Sequence, residues 1–187
     1  MFSEAGYDVW MLNNRGTQTS FEHVNPKEYS VFSFNSKFWD FSFDEMAKYD
    51  VNAHINYILD QSEHDKLIYV GHSQGTTQFF VANALGPLHD KVEAFIGLGP
   101  VINPSHQYSP LLKFIFSFHI DTILAKLPIK NILVFPDLIS VVGRGIVHKF
   151  RNTFYGFLQL LCGGVKLTID PDRMAVMVRH EPGGTSF

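Results

Sequence analysis

The pentapeptide Gly71-His72-Ser73-Gln74-Gly75 follows the apolar run Leu67-Ile68-Tyr69-Val70 without a break and leads into a helical pattern over residues 76–84. A continuous apolar run of four predicts a parallel strand buried on both faces. The two glycines relieve crowding in a sharp strand-to-helix turn, which leaves Ser73 at its tip with the side chain projecting above a sheet. A second run, Val92-Glu93-Ala94-Phe95-Ile96-Gly97-Leu98, is closed by Gly99-Pro100 and reads as another short buried strand. Helix and strand alternate up to about residue 103, and the alternation predicts an α/β fold.

Upstream, Gly6-Tyr7-Asp8-Val9-Trp10-Met11 is β-rich and runs into Asn13-Asn14-Arg15-Gly16, whose Asn and Gly favour a turn. A strand entering a loop is expected there. Residues 17–37 show no period and read as surface loop. Ser42-Phe43-Asp44-Glu45 is a capping box that should open a helix. Phe43, Ala47, Val51, Ile55 and Leu59 recur every four residues along one stripe, so the helix should run to about Gln61. From residue 105 to 164 the character changes. The segment is apolar and aromatic, punctuated by Pro110, Pro128 and Pro136, with broken helical periods, and predicts a mostly helical insertion.

Composition narrows the partners. The 187 residues are 45% hydrophobic and 18% charged, a globular balance that suits one domain with a sizeable core. A net charge of -3 with scattered Lys and Arg leaves no electrostatic footprint for nucleic acid. The 18 Phe fit a core or a lipid-facing surface equally well, and core is the preferred reading. A lone Cys162 cannot form an intrachain disulfide and does not resemble a metal cluster, so neither a metal nor a cofactor is called for. No stretch is long and apolar enough for a transmembrane segment, since Lys113 interrupts one candidate and Pro136 and Asp137 another. The first residues show no basic segment leading into an apolar one, so no signal peptide is read in this chain.

The chemistry follows from the turn. A hydroxyl is a weak nucleophile at its free pKa, so acyl transfer needs a serine exposed to a base and close to amides that hold an oxyanion. Ser73 meets the first need, and the amide of Gln74, at the helix start, meets the second. His72 is not the base, because neighbouring strand side chains point to opposite faces and its own should lie buried or hydrogen-bonded under the turn. The base should follow later, in the order Ser, Asp or Glu, His. Asp121, Asp137, Asp170 and Asp172 are candidate acids, and His106, His119, His148 and His180 candidate bases. Order alone permits Ser73, Asp170 or Asp172, and His180. Only residues 174–178 resemble a further strand, however, so the sheet that must carry those loops reads as unfinished.

Four separated segments resemble one family, the acid lipases of the gastric and lysosomal type. Gly6-Tyr7-Asp8-Val9-Trp10 with Asn14-Arg15-Gly16 is similar to its strand and loop, and Phe38-Trp39-Asp40-Phe41-Ser42-Phe43-Asp44-Glu45-Met46-Ala47-Lys48-Tyr49-Asp50 to its helix start. Tyr69-Val70-Gly71-His72-Ser73-Gln74-Gly75-Thr76-Thr77 is similar to its nucleophile elbow, and His180-Glu181-Pro182-Gly183-Gly184-Thr185-Ser186 to a later segment. The resemblance implies an α/β-hydrolase fold with a mostly helical cap inserted in a mostly parallel, here incomplete, sheet. It divides the chain into a core segment over residues 1–104, a cap or lid over 105–177 whose aromatic residues face the acyl chain, and the start of a return to the core over 178–187.

The same resemblance implies a lipase acting on triacylglycerols or cholesteryl esters at a lipid-water interface or lipid droplet surface. Such a protein would be lysosomal or secreted at full length, with Ser73 as nucleophile and the Gln74 amide in the oxyanion hole. His180 then matches a histidine outside the triad. The family's signal peptide and His-Gly oxyanion loop precede the matched region and its triad Asp and His follow it, so the chain as given is expected to lack both and to be inactive alone. The family's cap disulfide has its second cysteine nine residues before Cys162, where this chain has Thr153. The alternative reading is a non-catalytic, lipase-like protein that binds lipid or a partner and keeps the elbow as a turn. An intact Ser73 and Gln74 favour the enzyme.

Overall fold

The computed structural model describes residues 2–29, 37–103, 109–118, 131–132, 151–161, 163, 170, 173 and 185–186. Two compact units emerge: Met1–Arg15 with Phe41–Asn103, and Gly16–Asp40 with Pro104–Phe187.

In the first unit, the capping box forms as the sequence predicts. The Asp44 amide donates to Ser42 Oγ at 3.1 Å, and the Glu45 carboxylate accepts from the Ser42 amide at 2.7 Å. Those bonds hold the Glu45 carboxyl below its usual range, the Ser42 hydroxyl being the largest cause. From there α1 (Phe43–Glu45), a π-helical segment (Met46–Val51) and α2 (Asn52–Gln61) run on from one another. The π segment is where the structure departs from a plain helix. A stripe that repeats every four residues lags behind a turn of about 3.6 residues, and the wider π turn takes up the lag. Ala47, Val51 and Ile55 are thereby all buried, whereas Phe43, ahead of the π segment, stays exposed.

β1 (Leu67–His72), α3 (Gln74–Leu85) and β2 (Val92–Leu98) form a strand–helix–strand unit in which β1 and β2 pair in parallel. The register runs from Leu67 opposite Val92 to His72 opposite Leu98, with one irregularity between Leu67 and Ile68. Ala47, Val51, Ile55, Phe79, Ala82, Leu88 and Val92 make the core, with Leu67, Tyr69 and Phe95 packed against it. Phe79 and Phe95 stack with ring centres 4.3 Å apart, and Tyr69 lies 4.8 Å from Phe79. Burial of the Tyr69 phenol raises its pKa above the usual value.

Four sequence expectations change here, the first being a buried β2: five of its seven residues are exposed among the described residues, Ile96 and Leu98 included, because no described element covers that face. β1 is covered on one face only among the described residues: Leu67, Tyr69 and Gly71 face the core, while Ile68 and Val70 are nearly half exposed. Alternation places His72 on the Ile68 and Val70 face, so its side chain is exposed rather than tucked under the turn. Residues 6–11, expected as a strand, are exposed and pair with no described strand, and Gly6 sits in a turn at φ 89. Local β propensity favours a strand, but only a neighbouring ladder makes one.

In the second unit, Phe21, His23, Tyr29, Phe38 and Trp39 form an aromatic cluster, with His23 stacked on Tyr29 at 4.0 Å between ring centres. Lys37 pairs with Glu28 beside it. Two helices follow, α4 (Pro110–Ser117) and α5 (Arg151–Leu161), joined where the Ser109 hydroxyl donates to the Leu160 carbonyl at 3.1 Å. β3 (Asn131–Ile132) and β4 (Thr185–Ser186) form a two-residue antiparallel ladder. No described helix is long and apolar enough to cross a membrane.

Candidate active site

Ser73 sits between the end of β1 and the start of α3, with φ 49 and ψ -116. It is the only described non-glycine residue at positive φ. Such a backbone costs an L-residue on the order of 1–3 kcal/mol and persists only where its surroundings over-determine it. Those surroundings can be named. The Ser73 amide donates to the Leu98 carbonyl at 3.0 Å, which ties the turn to the end of β2. Its carbonyl accepts from the Thr76 amide at 2.9 Å and from the Thr76 hydroxyl at 2.6 Å. Both backbone groups of Ser73 are therefore engaged, and its side chain is exposed.

The flanking glycines are not equivalent. A Cβ on Gly71 would lie 3.0 Å from the Gly75 carbonyl carbon and oxygen, so only glycine lets the strand end and the helix start approach this closely. A Cβ on Gly75 would meet nothing within 4 Å among the described residues. The sequence expectation that both glycines relieve crowding therefore holds for Gly71 alone. The Tyr69 hydroxyl donates to the Gly75 carbonyl at 3.3 Å, fixing that first helical turn against the strand.

Gln74 is the first residue of α3, so its N–H has no carbonyl four residues back to bond and points out of the helix start beside Ser73. Helix amides in that position favour negative charge. Ser73 and Gln74, the two site residues read from the sequence, thus stand together as an exposed hydroxyl and a helix-start amide. Among the candidate acids and bases, Asp170 is described and exposed in the second unit. Asp121, Asp137, Asp172, His106, His119, His148 and His180 lie outside the described residues, as does Cys162. Thr153 is exposed on α5. Among the described residues no group of three or more His, Cys, Asp and Glu could hold a metal ion.

Around the turn lies a polar brace that sequence reading did not single out. The Asn14 side-chain amide donates to Gln78 Oε1 at 3.0 Å, and Gln78 Nε2 donates to Met46 Sδ at 3.2 Å, joining the N-terminal turn to α3 and the π segment. Arg15 grips Asp50 through Nε at 2.8 Å and Nη2 at 2.6 Å, and the Arg15 amide donates to the same carboxylate at 3.0 Å. Its guanidinium lies over the Phe41 and Tyr49 rings, 5.8 and 5.5 Å from their centres. His54 Nε2 approaches the Asn13 carbonyl at 3.2 Å, and burial lowers its pKa against the opposing charge of Asp50. The only sequence signal for this brace was the Asn-Arg-Gly turn itself, which does not name its partners.

Residues 2–122 match the family described as alpha/beta hydrolase fold. Over 195 residues the chain is 39% identical to the gastric triacylglycerol lipase of Rattus norvegicus, covering 100% of this chain and 46% of that protein. It is 36% identical over 198 residues to the Homo sapiens lysosomal acid lipase/cholesteryl ester hydrolase, again covering 100% of this chain and 46% of the relative. Human lipase member K is 34% identical over 199 residues, with the same coverage of 100% and 46%. The chain spans about half the length of the curated relatives it matches. With that match centred on the β1–α3–β2 unit and its strained serine turn, the chain belongs to the alpha/beta hydrolase fold family and is similar along its whole length to gastric and lysosomal acid lipases.

Proposed function

We propose that Ser73 is the nucleophile of a carboxylic ester hydrolase that cleaves fatty acyl esters such as triacylglycerols or cholesteryl esters. The observation that carries this reading is a serine held at φ 49 between strand and helix with its side chain exposed. A strained non-glycine backbone whose hydroxyl faces outward is the arrangement a nucleophile needs.

In the proposed reaction a histidine takes the Ser73 Oγ proton as Oγ attacks the ester carbonyl. The oxyanion that forms accepts from the Gln74 amide, and losing one such donor typically lowers turnover by about 10² to 10³. Collapse breaks the bond to the alcohol, which leaves with the proton from the histidine, and an acyl-Ser73 ester remains. Water, deprotonated by the same histidine, then releases the fatty acid and restores the hydroxyl. The histidine and its orienting carboxylate are expected, by resemblance to the acid lipases, C-terminal to the Thr185–Ser186 segment. Residues 105–177 would serve as the cap that receives the acyl chain, and residues 178–187 would lead back to the core. The substrate would be met at a lipid-water interface, in a lysosomal or secreted setting, a reading supported by relatives named as lysosomal and gastric lipases.

Hydrolysis of emulsified long-chain triacylglycerol and of cholesteryl oleate by the full-length protein tests this directly. Ser73→Ala should lose activity on the order of 10⁶-fold, the scale of nucleophile deletion in serine hydrolases. A Ser73→Ala protein that kept more than about a thousandth of the rate would remove Ser73 from the role.

A further inference from the structure

The Thr76 hydroxyl joins two parts of the chain that are distant in sequence. Thr76 has no exposed surface. Its Oγ1 donates to the Ser73 carbonyl at 2.6 Å, an ordinary back-bond for a threonine in a helix. The same oxygen accepts the Val101 amide at 2.9 Å, a bond that spans 25 residues. Thr77 completes the pair, its hydroxyl donating to the Val101 carbonyl at 2.7 Å. Both backbone groups of Val101 are therefore held by adjacent threonines at the start of α3. Val101 lies in the loop after β2, just past Gly99, which adopts φ 56, and three residues before the chain enters the second unit at Pro104.

We propose that Thr76 is a positioning residue: its hydroxyl couples the loop over residues 99–103 to the Ser73 carbonyl and so holds the serine turn in its strained conformation. The inference rests on Ser73 being the nucleophile, and it goes beyond that reading by assigning the cause of the turn's rigidity to one side-chain oxygen. The Ser73 amide is anchored by Leu98, the last residue of β2, and its carbonyl by Thr76, which grips the loop that follows. The two anchors thus draw on consecutive stretches of the same chain. Without the hydroxyl, the Ser73 carbonyl keeps only the Thr76 amide and the Val101 amide loses its acceptor. A turn that is costly to hold then has one fewer group opposing its relaxation. Because the strain orients Oγ and not the substrate, loosening it should slow bond formation and leave substrate binding largely intact.

The test compares the full-length wild type with Thr76→Val, which keeps the shape and deletes the hydroxyl, and Thr76→Ser, which keeps the hydroxyl. Two readouts are taken: the inactivation rate and the binding constant for an alkyl fluorophosphonate, and amide hydrogen exchange over residues 71–78 and 99–103. Thr76→Val should lower the inactivation rate about tenfold or more with the binding constant within about twofold. It should also speed exchange at Val101 and in the turn, and Thr76→Ser should recover most of both effects. Wild-type inactivation rate and exchange in Thr76→Val would overturn the proposal, as would an equal loss in Thr76→Ser. If Thr76→Val does not fold, Thr77→Val decides: faster exchange at residues 99–103 with slower inactivation supports the coupling, and an unchanged inactivation rate overturns it. If the wild type does not react at Ser73, the proposed function fails, and the exchange data alone decide whether the hydroxyl holds the turn.

Discussion

The turn at residues 13–15 and the turn at Ser73 both pack against α3, and they are held by different means. The first is fastened by side chains: Asn14 to Gln78, Arg15 to Asp50, with the Asn13 carbonyl against His54. The second is fastened by its backbone, with the Ser73 amide on the Leu98 carbonyl and the Ser73 carbonyl on Thr76. The consequence is functional. In the first turn the polar side chains are occupied, so it can brace but has little left to react. In the second the Ser73 main chain bears the constraint, braced by the Thr76 hydroxyl, and the Ser73 hydroxyl stays exposed. On the proposed reading, a reactive turn is one whose rigidity comes from its own backbone and its neighbours.

The difference can be broken at either end. The largest effect should come from Asp50, whose side chain is 11% exposed and faces an Arg15 side chain that is 33% exposed. Exposed pairs contribute about 0–1 kcal/mol and breaking a buried one costs about 3–5; for this intermediate pair Asp50→Ala should cost about 2–3 kcal/mol. Chemical denaturation should detect that loss, while Ser73→Ala, whose hydroxyl makes no bond among the described residues, should unfold at a wild-type midpoint.

Next come the two glycines of the elbow. Gly71→Ala drives a Cβ into the Gly75 backbone and should destabilise by about 1–3 kcal/mol, as overpacking does. Gly75→Ala meets open space in the second position of a helix and should be neutral or stabilising by up to about 1 kcal/mol. Equal melting points for the two variants would contradict the geometry of the turn.

The smallest effect should be a pH dependence from His54, whose folded pKa is lowered below 6.5 chiefly by burial. As pH falls through 6.5 the unfolded chain takes up this proton before the folded one does, so the stabilisation present above that value is lost toward the lowered pKa. The melting midpoint should therefore drop between neutral and mildly acidic pH, and His54→Gln should flatten that part of the profile. A profile identical in wild type and variant would show that the brace does not depend on this imidazole.

Much of this was legible in the residues alone. β2 begins and ends at the residues the apolar run marks, because Gly99-Pro100 stops a strand, although the run's burial did not follow, five of its seven residues being exposed among the described residues. The helix opened at Ser42 and closed at Gln61 because its cap and stripe are local signals. The π segment was hidden because a repeat of four is close to both helix types. The exposure of His72 and the lack of a described partner strand for residues 6–11 were hidden for another reason: alternation and propensity say which way a side chain or strand faces, and only the tertiary neighbours decide what covers it. At the site, Ser73 and Gln74 stood out because the turn demands a fixed spacing. Thr76, Gln78 and Asp50 did not, because their partners lie 25, 64 and 35 residues away.

The central claim is that the backbone at Ser73 is strained in order to present an activated hydroxyl. Reaction of the full-length protein with a fluorophosphonate probe, followed by mass spectrometry of the peptide that carries residues 67–91, tests it most directly. The account predicts one stoichiometric adduct, located on Ser73 and absent after unfolding in guanidinium, because activation depends on the folded turn. A fully folded wild-type protein that shows no adduct, or one that carries it on a different serine, would contradict the account.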